Sequence, residues 1–315
     1  SPHWRNTVLY WGFFYLEIMH LSYNHLSGTL PSSLGRLLSL TALGFCDNQL
    51  SGEVPKTLTK LSLLSELYLR SNRLVGPLDN FINASNLMQQ MNYDVSNNFL
   101  TGTIPPGLFN SSSLNIFAAT DNCLDVVLPP EMCAAVNLEV LALDGLSAAT
   151  NCRRKFFPGT STTTYSLQRQ TRHSIPSCLF GLSKLVVLHL SGNALTGTLA
   201  SQSIGSKLRD LTLSYNQLSG TIPLSIQTHP WALLDLSFNA FSGVLSQNLR
   251  MADNSLCINR LSGKLPSSLF KIRMLLVLQG NIFGCSFNTN LLPKFDSASG
   301  SYHCGFDTIS HCSCF

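Results

Sequence analysis

The chain has 315 residues, with 20 Lys and Arg against 16 Asp and Glu and a formal net charge of +4. That near balance excludes the broad basic footprint of a nucleic-acid-binding protein. Only 11% of residues are charged, against about 25% in typical soluble domains, so Ser, Thr, Asn and Gly must cover much of the surface.

The first element in chain order is apolar. Residues 7–19 read TVLYWGFFYLEIM and include Glu17. The run is too short for a membrane span, which needs about 20 apolar residues, and no other stretch qualifies. No basic segment precedes an apolar one, so no signal peptide is expected in this sequence, as in a mature or trimmed chain. Tyr10, Trp11, Phe13 and Phe14 put bulky apolar side chains ahead of everything that follows. They are candidates for end-to-end association of two copies.

From residue 16 a period takes over. Asn24, Asn48, Asn72, Asn98 and Asn122 stand 24, 24, 26 and 24 residues apart; Asn193, Asn216, Asn239, Asn259 and Asn281 follow at steps of 23, 23, 20 and 22. The apolar residues around each mark recur in phase. Leu40, Leu43 and Phe45 precede Asn48, and Leu50, Gly52, Val54 and Pro55 follow it; Leu208, Leu211 and Leu213 precede Asn216, and Leu218, Gly220, Ile222 and Pro223 follow it. Self-similarity at this period is the signature of a stacked-repeat architecture. Between Asn122 and Asn193 the same spacing falls on Leu146 and Gln170, so residues 138–180 read as two degenerate coils, the alternative being a loop inserted out of register. Asp79, Ala200 and Ser246 replace the proline in three coils.

The alternating LxL of each coil predicts a short strand with one face inward. Strands of successive coils stack in parallel, their leucines form one continuous core, and no coil is stable alone. The asparagine side chain carries two donors and an acceptor. Pointing inward after the strand, it is expected to satisfy backbone groups of its own coil and the next, because buried polar groups must be paired.

The pattern LxxLxLxxNxLxGxIP resembles the leucine-rich repeat of the plant-type class. That resemblance implies an α/β repeat solenoid wound as a right-handed superhelix of about 12 coils, by the marks above. It puts a parallel β-sheet on the concave face and short 3-10 or irregular segments on the convex face. The expected organisation is an apolar flank or partial cap at 1–15, the solenoid at 16–285 without a linker, and a cysteine-rich cap at 286–315. Plant proteins of this class usually open with a paired-cysteine cap, whereas here no cysteine precedes Cys46. The segment LQGNIFGC…LLPKFD…YHCG, within residues 278–305, is similar to the closing segment of repeat-bearing surface proteins of unicellular algae such as diatoms and chrysophytes.

Side chains flanking the strand leucines should face the concave side. The first coils offer Tyr23, Glu66, Tyr68, Arg70 and Asp94; the last offer His189, Asp210, Tyr215, Asp235, Phe238 and Asp253. Asp210, Asp235 and Asp253 suggest a carboxylate ladder for a basic partner or a divalent ion, against the plainer reading of a solvated sheet face. Exposed Tyr and Phe beside acids suit a protein-binding surface. No GxSxG, HExxH or P-loop occurs. His20 and His189 lie roughly 30 Å apart at about 4.8 Å per strand, too far to cooperate. No catalytic residue, cofactor or metal site is assigned.

The ten cysteines point to an oxidising compartment. Cys285 is expected to pair with Cys304 in the cap. Cys152 and Cys178 fall at similar offsets and can bridge across the convex side, with Cys123 and Cys133 nearby. Cys312 and Cys314 belong to HCGFDTISHCSC, where a zinc knuckle is conceivable but disulfides are favoured, since CxxC spacing is absent. Cys46 and Cys257 lie on the strand face, roughly 40 Å apart by the same spacing; they read as free thiols or partners for another chain. Asn83-Ala-Ser and Asn110-Ser-Ser are N-glycosylation sequons on the outer side of adjacent coils. Two functions follow: an extracellular scaffold that self-associates into a fibre, or a recognition module that binds a protein or peptide on its concave face.

Overall fold

A computed structural model describes residues 15–82, 91–125, 127–146, 174–201, 203–250, 253–271, 275–284 and 296–299. The chain divides into two compact units, Ser1–Arg169 and Gln170–Phe315. Tyr10, Trp11, Phe13, Phe14, Asn83, Cys152, Gln170, Cys285, Cys304, Cys312 and Cys314 lie outside the described residues.

In the first unit the strands Ile18–His20, Ala42–Gly44, Glu66–Tyr68, Met91–Asp94, Leu114–Ala118 and Val140–Ala142 pair in that order, all parallel. The register matches the repeat: Ile18 lies opposite Ala42, Ala42 opposite Glu66, Glu66 opposite Asn92, Asn92 opposite Ile116 and Ile116 opposite Val140. A bulge between Met91 and Asn92 falls in the coil where the asparagine spacing lengthens to 26 residues. Alternation decides which residues go inside. Leu43, Phe45, Leu67, Leu69, Val95, Phe117, Ala119, Leu141 and Leu143 are buried.

The LxGxIP stretch builds a second parallel ladder from Ser27–Gly28, Gln49–Glu53, Arg73–Pro77 and Phe99–Thr101. Short 3-10 turns follow at Ser32–Arg36, Lys56–Lys60, Leu78–Asn80, Pro106–Asn110 and Pro130–Ala134. A proline stands just before each, at Pro31, Pro55, Pro77, Pro105 and Pro129. Its fixed φ suits that junction, and its carbonyl accepts the first N–H of the turn, as Pro31 does from Leu34 at 3.1 Å. Where Asp79 takes the usual proline position, Pro77 starts the turn two residues earlier. Coils approach closely on this side. A Cβ on Gly35 would collide with the backbone carbonyl of Thr57, so the position requires glycine.

In the second unit Val187–His189, Asp210–Thr212, Leu233–Asp235, Asp253–Ser255 and Leu275–Leu276 form the first ladder. Thr196–Thr198, Gln217–Thr221, Ala240–Val244, Arg260–Gly263 and Ile282–Phe283 form the second, again all parallel. The remaining side of the coils carries 3-10 turns at Ser177–Gly181 and Ser267–Lys271 and a short α-helix, Leu224–Thr228. Gln227 in that helix is buried, donating from Nε2 to the Ile222 carbonyl and accepting the Ser246 N–H on Oε1. Trp231 closes the same turn with its indole N–H on the Ile226 carbonyl.

The asparagines are internal rungs in both units. Asn72 donates from Nδ2 to the carbonyls of Leu69 and Arg70 in its own coil and of Phe45 in the coil before, at 2.8 Å for the last. Its Oδ1 accepts the Leu50 N–H, also of the coil before, at 3.0 Å. Asn98, Asn122, Asn239, Asn259 and Asn281 repeat the arrangement. The expected partners were the rung's own coil and the next; the side chain instead reaches back. The link to the following coil is made by the backbone N–H of the rung, as Asn72 makes it toward Asn97 at 3.1 Å. Leu146, at a position without asparagine, is fully buried and fills the space with apolar volume.

Candidate binding faces

Each strand of the first ladder leaves two rows of side chains facing away from the core. In the first unit Glu66 sits opposite Asn92 and Tyr68 opposite Asp94, and all four are half-buried. Burial pushes the Tyr68 phenol above its ordinary value; the Glu66 carboxylate adds to this, a hydrogen bond with Asn92 opposes it, and Asp94 raises it further. Asp94 is held locally, its Oδ1 accepting the Ser96 N–H at 3.0 Å. Arg70 and Tyr23 are exposed, so four of the five expected first-unit residues, Glu66, Tyr68, Arg70 and Asp94, fall on two adjacent coils, with Tyr23 apart.

Cys46 lies on the coil before Tyr68 and is a free, half-buried thiol. Burial raises its pKa. The Arg70 backbone N–H and the Ser22 hydroxyl oppose that shift through hydrogen bonds, while the carboxylates of Asp94 and Asp47 add to it. Neutral thiol is a poor nucleophile, so this group is chemically quiet near neutral pH.

In the second unit register defines the outward rows as Val187, Asp210, Leu233 and Asp253, and as His189, Thr212, Asp235 and Ser255. Asp210, Asp235 and Asp253 do not line up as one ladder, which leaves the plainer reading of a sheet face. Asp235 stands two residues along the strand from the row of Asp210 and Asp253, and Leu233 separates those two within their own row. Asp235 is further engaged, its Oδ1 accepting both the N–H and the hydroxyl of Ser237, at 3.0 and 2.7 Å. Among the described residues no group of His, Cys, Asp and Glu is placed to hold a metal ion.

Just past these strands, Tyr215 and Phe238 stack face to face, with ring centroids 4.1 Å apart and planes 12° off parallel. Tyr215 is 54% exposed. Both residues have left-handed backbone, φ 54° and 52°, and their N–H groups bond to Ser237 and Cys257 of the following coil at 3.1 Å. The residue type gave no hint of that conformation. The signal was the position, one before each asparagine, which is left-handed in coil after coil.

The cysteines bring one correction. Cys123, Cys133 and Cys178 are disulfide-bonded. So is Cys257, whose place on the strand face suggests a free or intermolecular thiol. It is fully buried, where only a partner within the chain can reach it. Asn110 is exposed at the end of its 3-10 turn. Asp296 went unnoticed in the sequence, yet it is buried and its Oδ2 accepts the N–H groups of Val277 and Leu278 at 2.7 and 3.0 Å.

The Leucine Rich Repeat family profile matches residues 15–37 and 207–229. Each match contains one asparagine rung and the strand that leads into it. The fold is a leucine-rich repeat solenoid. Solved leucine-rich repeat structures align along most of the chain. PEPR1 in its complex with AtPEP1 is 27% identical over 88% of this chain and 40% of its own, with a TM-score of 0.63. The Arabidopsis receptor kinase HAESA, solved with the peptide hormone IDA and the co-receptor SERK1, is 26% identical over 85% of this chain and 50% of its own, with a TM-score of 0.59. A leucine-rich repeat protein of Leptospira interrogans, 23% identical over 87% of this chain and 69% of its own with a TM-score of 0.53, shares the fold. The chain thus spans half or less of the two plant-type structures. A search of curated proteins returned no significant match. No helix among the described residues is long and apolar enough to cross a membrane.

Proposed function

We propose that this leucine-rich repeat chain is a non-enzymatic recognition module, working outside the cell, that binds a protein or peptide on the outward rows of its strands. The observation that carries this is the in-register patch of Glu66, Tyr68, Asn92 and Asp94. It mixes acceptors, donors and an aromatic ring on a backbone whose own hydrogen bonds are already made. Such a surface is pre-organised, so a partner does not have to order it on binding. HAESA, similar in fold and solved with a peptide hormone, supports the same reading. Asn110, exposed at the end of its 3-10 turn, would carry a glycan away from these rows.

The test is a peptide selected from a random library against the full chain, then mapped with variants. Tyr68→Ala and Asp94→Ala should weaken binding at least ten-fold, and Lys56→Ala, in a 3-10 turn, should not. Peptides that lose affinity only with the Lys56 variant would place the binding face elsewhere.

A second reading, head-to-tail self-association, rests on Tyr15 and Ile18, which are 90% and 60% exposed at the first strand. A heterologous contact of this kind propagates into filaments. Light scattering that returns a monodisperse particle of the 34.5 kDa chain, with and without reductant, would exclude it.

A further inference from the structure

Charge is shared unevenly along the chain. Residues 15–146 carry 11 Asp and Glu against 5 Lys and Arg, whereas residues 174–299 carry 9 Lys and Arg against 4 Asp. Part of that basic excess is gathered in one place. In the second unit Lys184 stands nine residues before Asn193 and Lys207 nine before Asn216, each in the turn that leads into a strand of the first ladder. Arg209 directly precedes the strand Asp210–Thr212, and Arg250 comes shortly before Asp253–Ser255. All four cations are exposed. In the first unit the position nine before the mark holds Ser39, Leu63, Gln89, Ser113 and Asn137, none of them charged.

Hydrogen bonds fix how these residues follow one another across the coils. The Arg209 N–H bonds to the Val186 carbonyl, two residues past Lys184, and the Arg250 N–H bonds to the Gln227 carbonyl, both at 2.9 Å. In the coil between them the lysine position is taken by Pro230. Arg209 reaches across to that position, donating from Nη1 to the Pro230 carbonyl at 2.9 Å, so positive charge runs over this coil as well. Neighbouring coils stand about 4.8 Å apart along a ladder, and like charges so arranged repel. Among the described residues no carboxylate pairs with Lys184, Lys207 or Arg250. Asp210, next to Arg209 in sequence, belongs to the outward strand row opposite Leu233. The repulsion is left for an anionic partner to relieve.

We propose that Lys184, Lys207, Arg209 and Arg250 form a basic strip that binds a linear polyanionic polysaccharide lying across the coils. The strip carries the charge such a chain calls for and lacks what a protein partner needs. The centres of protein–protein interfaces are poor in lysine and rich in aromatic and apolar anchors, whereas the residues beside the two lysines are Ser183 and Ser206, both exposed. A lysine is a point charge on a flexible stem, so the strip reads charge density along the ligand and not an exact spacing. Binding of this kind releases counterions from the polyanion and weakens steeply with salt. The strip is separate from the patch of Glu66, Tyr68, Asn92 and Asp94, and the proposal does not depend on what that patch binds.

The test is isothermal titration of the full chain with a heparin octasaccharide, an alginate octasaccharide and uncharged dextran, repeated at rising sodium chloride. A charged glycan should bind, with affinity that falls steeply as salt rises, and dextran should not. The tighter of the two glycans names sulfate or carboxylate as the anion. The variant carrying Lys184→Ala, Lys207→Ala and Arg250→Ala should bind at least ten-fold more weakly and with a shallower salt dependence. Its unfolding midpoint should not fall, because only exposed like charges are removed. Lys184→Arg with Lys207→Arg should bind as the wild type does. Arg260→Ala with Lys264→Ala, which removes two exposed cations at the second ladder, should leave affinity within about two-fold. Equal losses from the two alanine variants would make the binding a matter of net charge and overturn the strip. So would a failure of both charged glycans to bind at low salt. Tighter binding of a polyglutamate peptide than of either glycan would assign the strip to an acidic protein segment and overturn the polysaccharide.

Discussion

Asp296 accepts the Leu278 backbone N–H at 3.0 Å. In the coils before it the equivalent N–H goes to a strand carbonyl of the following coil: Leu236 to Ser255 and Leu256 to Leu276. The carboxylate thus substitutes for a strand carbonyl, and with Val277 it satisfies two donors at once. Asp296→Ala would leave both buried donors unmatched. Hydrogen bonds to charged groups contribute about 1.5–3 kcal/mol each, so denaturant unfolding should show a loss on the order of 3 kcal/mol, and amide exchange should speed up first at Val277 and Leu278. Asp296→Asn, which keeps an acceptor, should lose less. An unchanged midpoint for the alanine variant would refute this closing role.

Rungs should differ sharply in weight. Asn98 is buried and bonds to Leu69, Val95, Ser96 and Leu74. Asn98→Ala strands several buried groups, at about 1–3 kcal/mol apiece, and should cost several kcal/mol in chemical denaturation. Asn24 is exposed and reaches only Leu21 and Ser22 of its own coil among the described residues. Its alanine variant should lie within about 1 kcal/mol of wild type.

Cys46 and Cys257 should separate cleanly in thiol labelling. A raised pKa means less thiolate at any given pH, so iodoacetamide should modify Cys46 slowly near neutrality. The rate should climb with a midpoint above the ordinary thiol range. Cys257 should stay unmodified until reductant and denaturant are both present. Rapid labelling of Cys257 in the native chain would contradict its disulfide.

Tyr93 offers an alkaline probe of the first unit. Buried and hydrogen-bonded to the Met91 sulfur at 3.2 Å, it has its phenol pKa pushed up to about 12 by burial, against about 10 in an unfolded chain. The neutral form is the one the fold accepts. Its contribution is therefore fully present below about pH 10 and is lost as pH rises toward about 12, by roughly 2–3 kcal/mol. Ultraviolet titration should show Tyr93 ionising well above the ordinary phenol range, and Tyr93→Phe should remove both that phase and part of the alkaline destabilisation.

The periodic part of this molecule is written in its residues, because position within a coil decides which way a side chain points. Leu43 and Phe45 inside, Glu66 and Tyr68 outside, and a buried Asn72 could all be read from spacing. What spacing cannot carry is the partner of a group whose neighbour lies off the repeat. Asp296 looks like any acid in a polar tail until the chain path brings it under Leu278. The rows of the acids were legible as well: Asp210 and Asp253 stand six residues before their asparagines and Asp235 four, and the register sets them in different rows accordingly. Rung direction was also hidden, since Asn72 stands at nearly the same sequence distance from its neighbours on either side, 24 residues from Asn48 and 26 from Asn98.

Because the rung asparagines from Asn48 to Asn122 and from Asn216 to Asn281 grip the coil before them, each of these coils carries the clasp for its predecessor. Unequal recombination that copies or deletes one whole coil therefore delivers the new junction with its fastening already in place. The tolerance of the spacing, from 20 to 26 residues, widens the set of crossovers that still fold. A gene built this way can lengthen or shorten its strand ladders by whole coils without reinventing the interior.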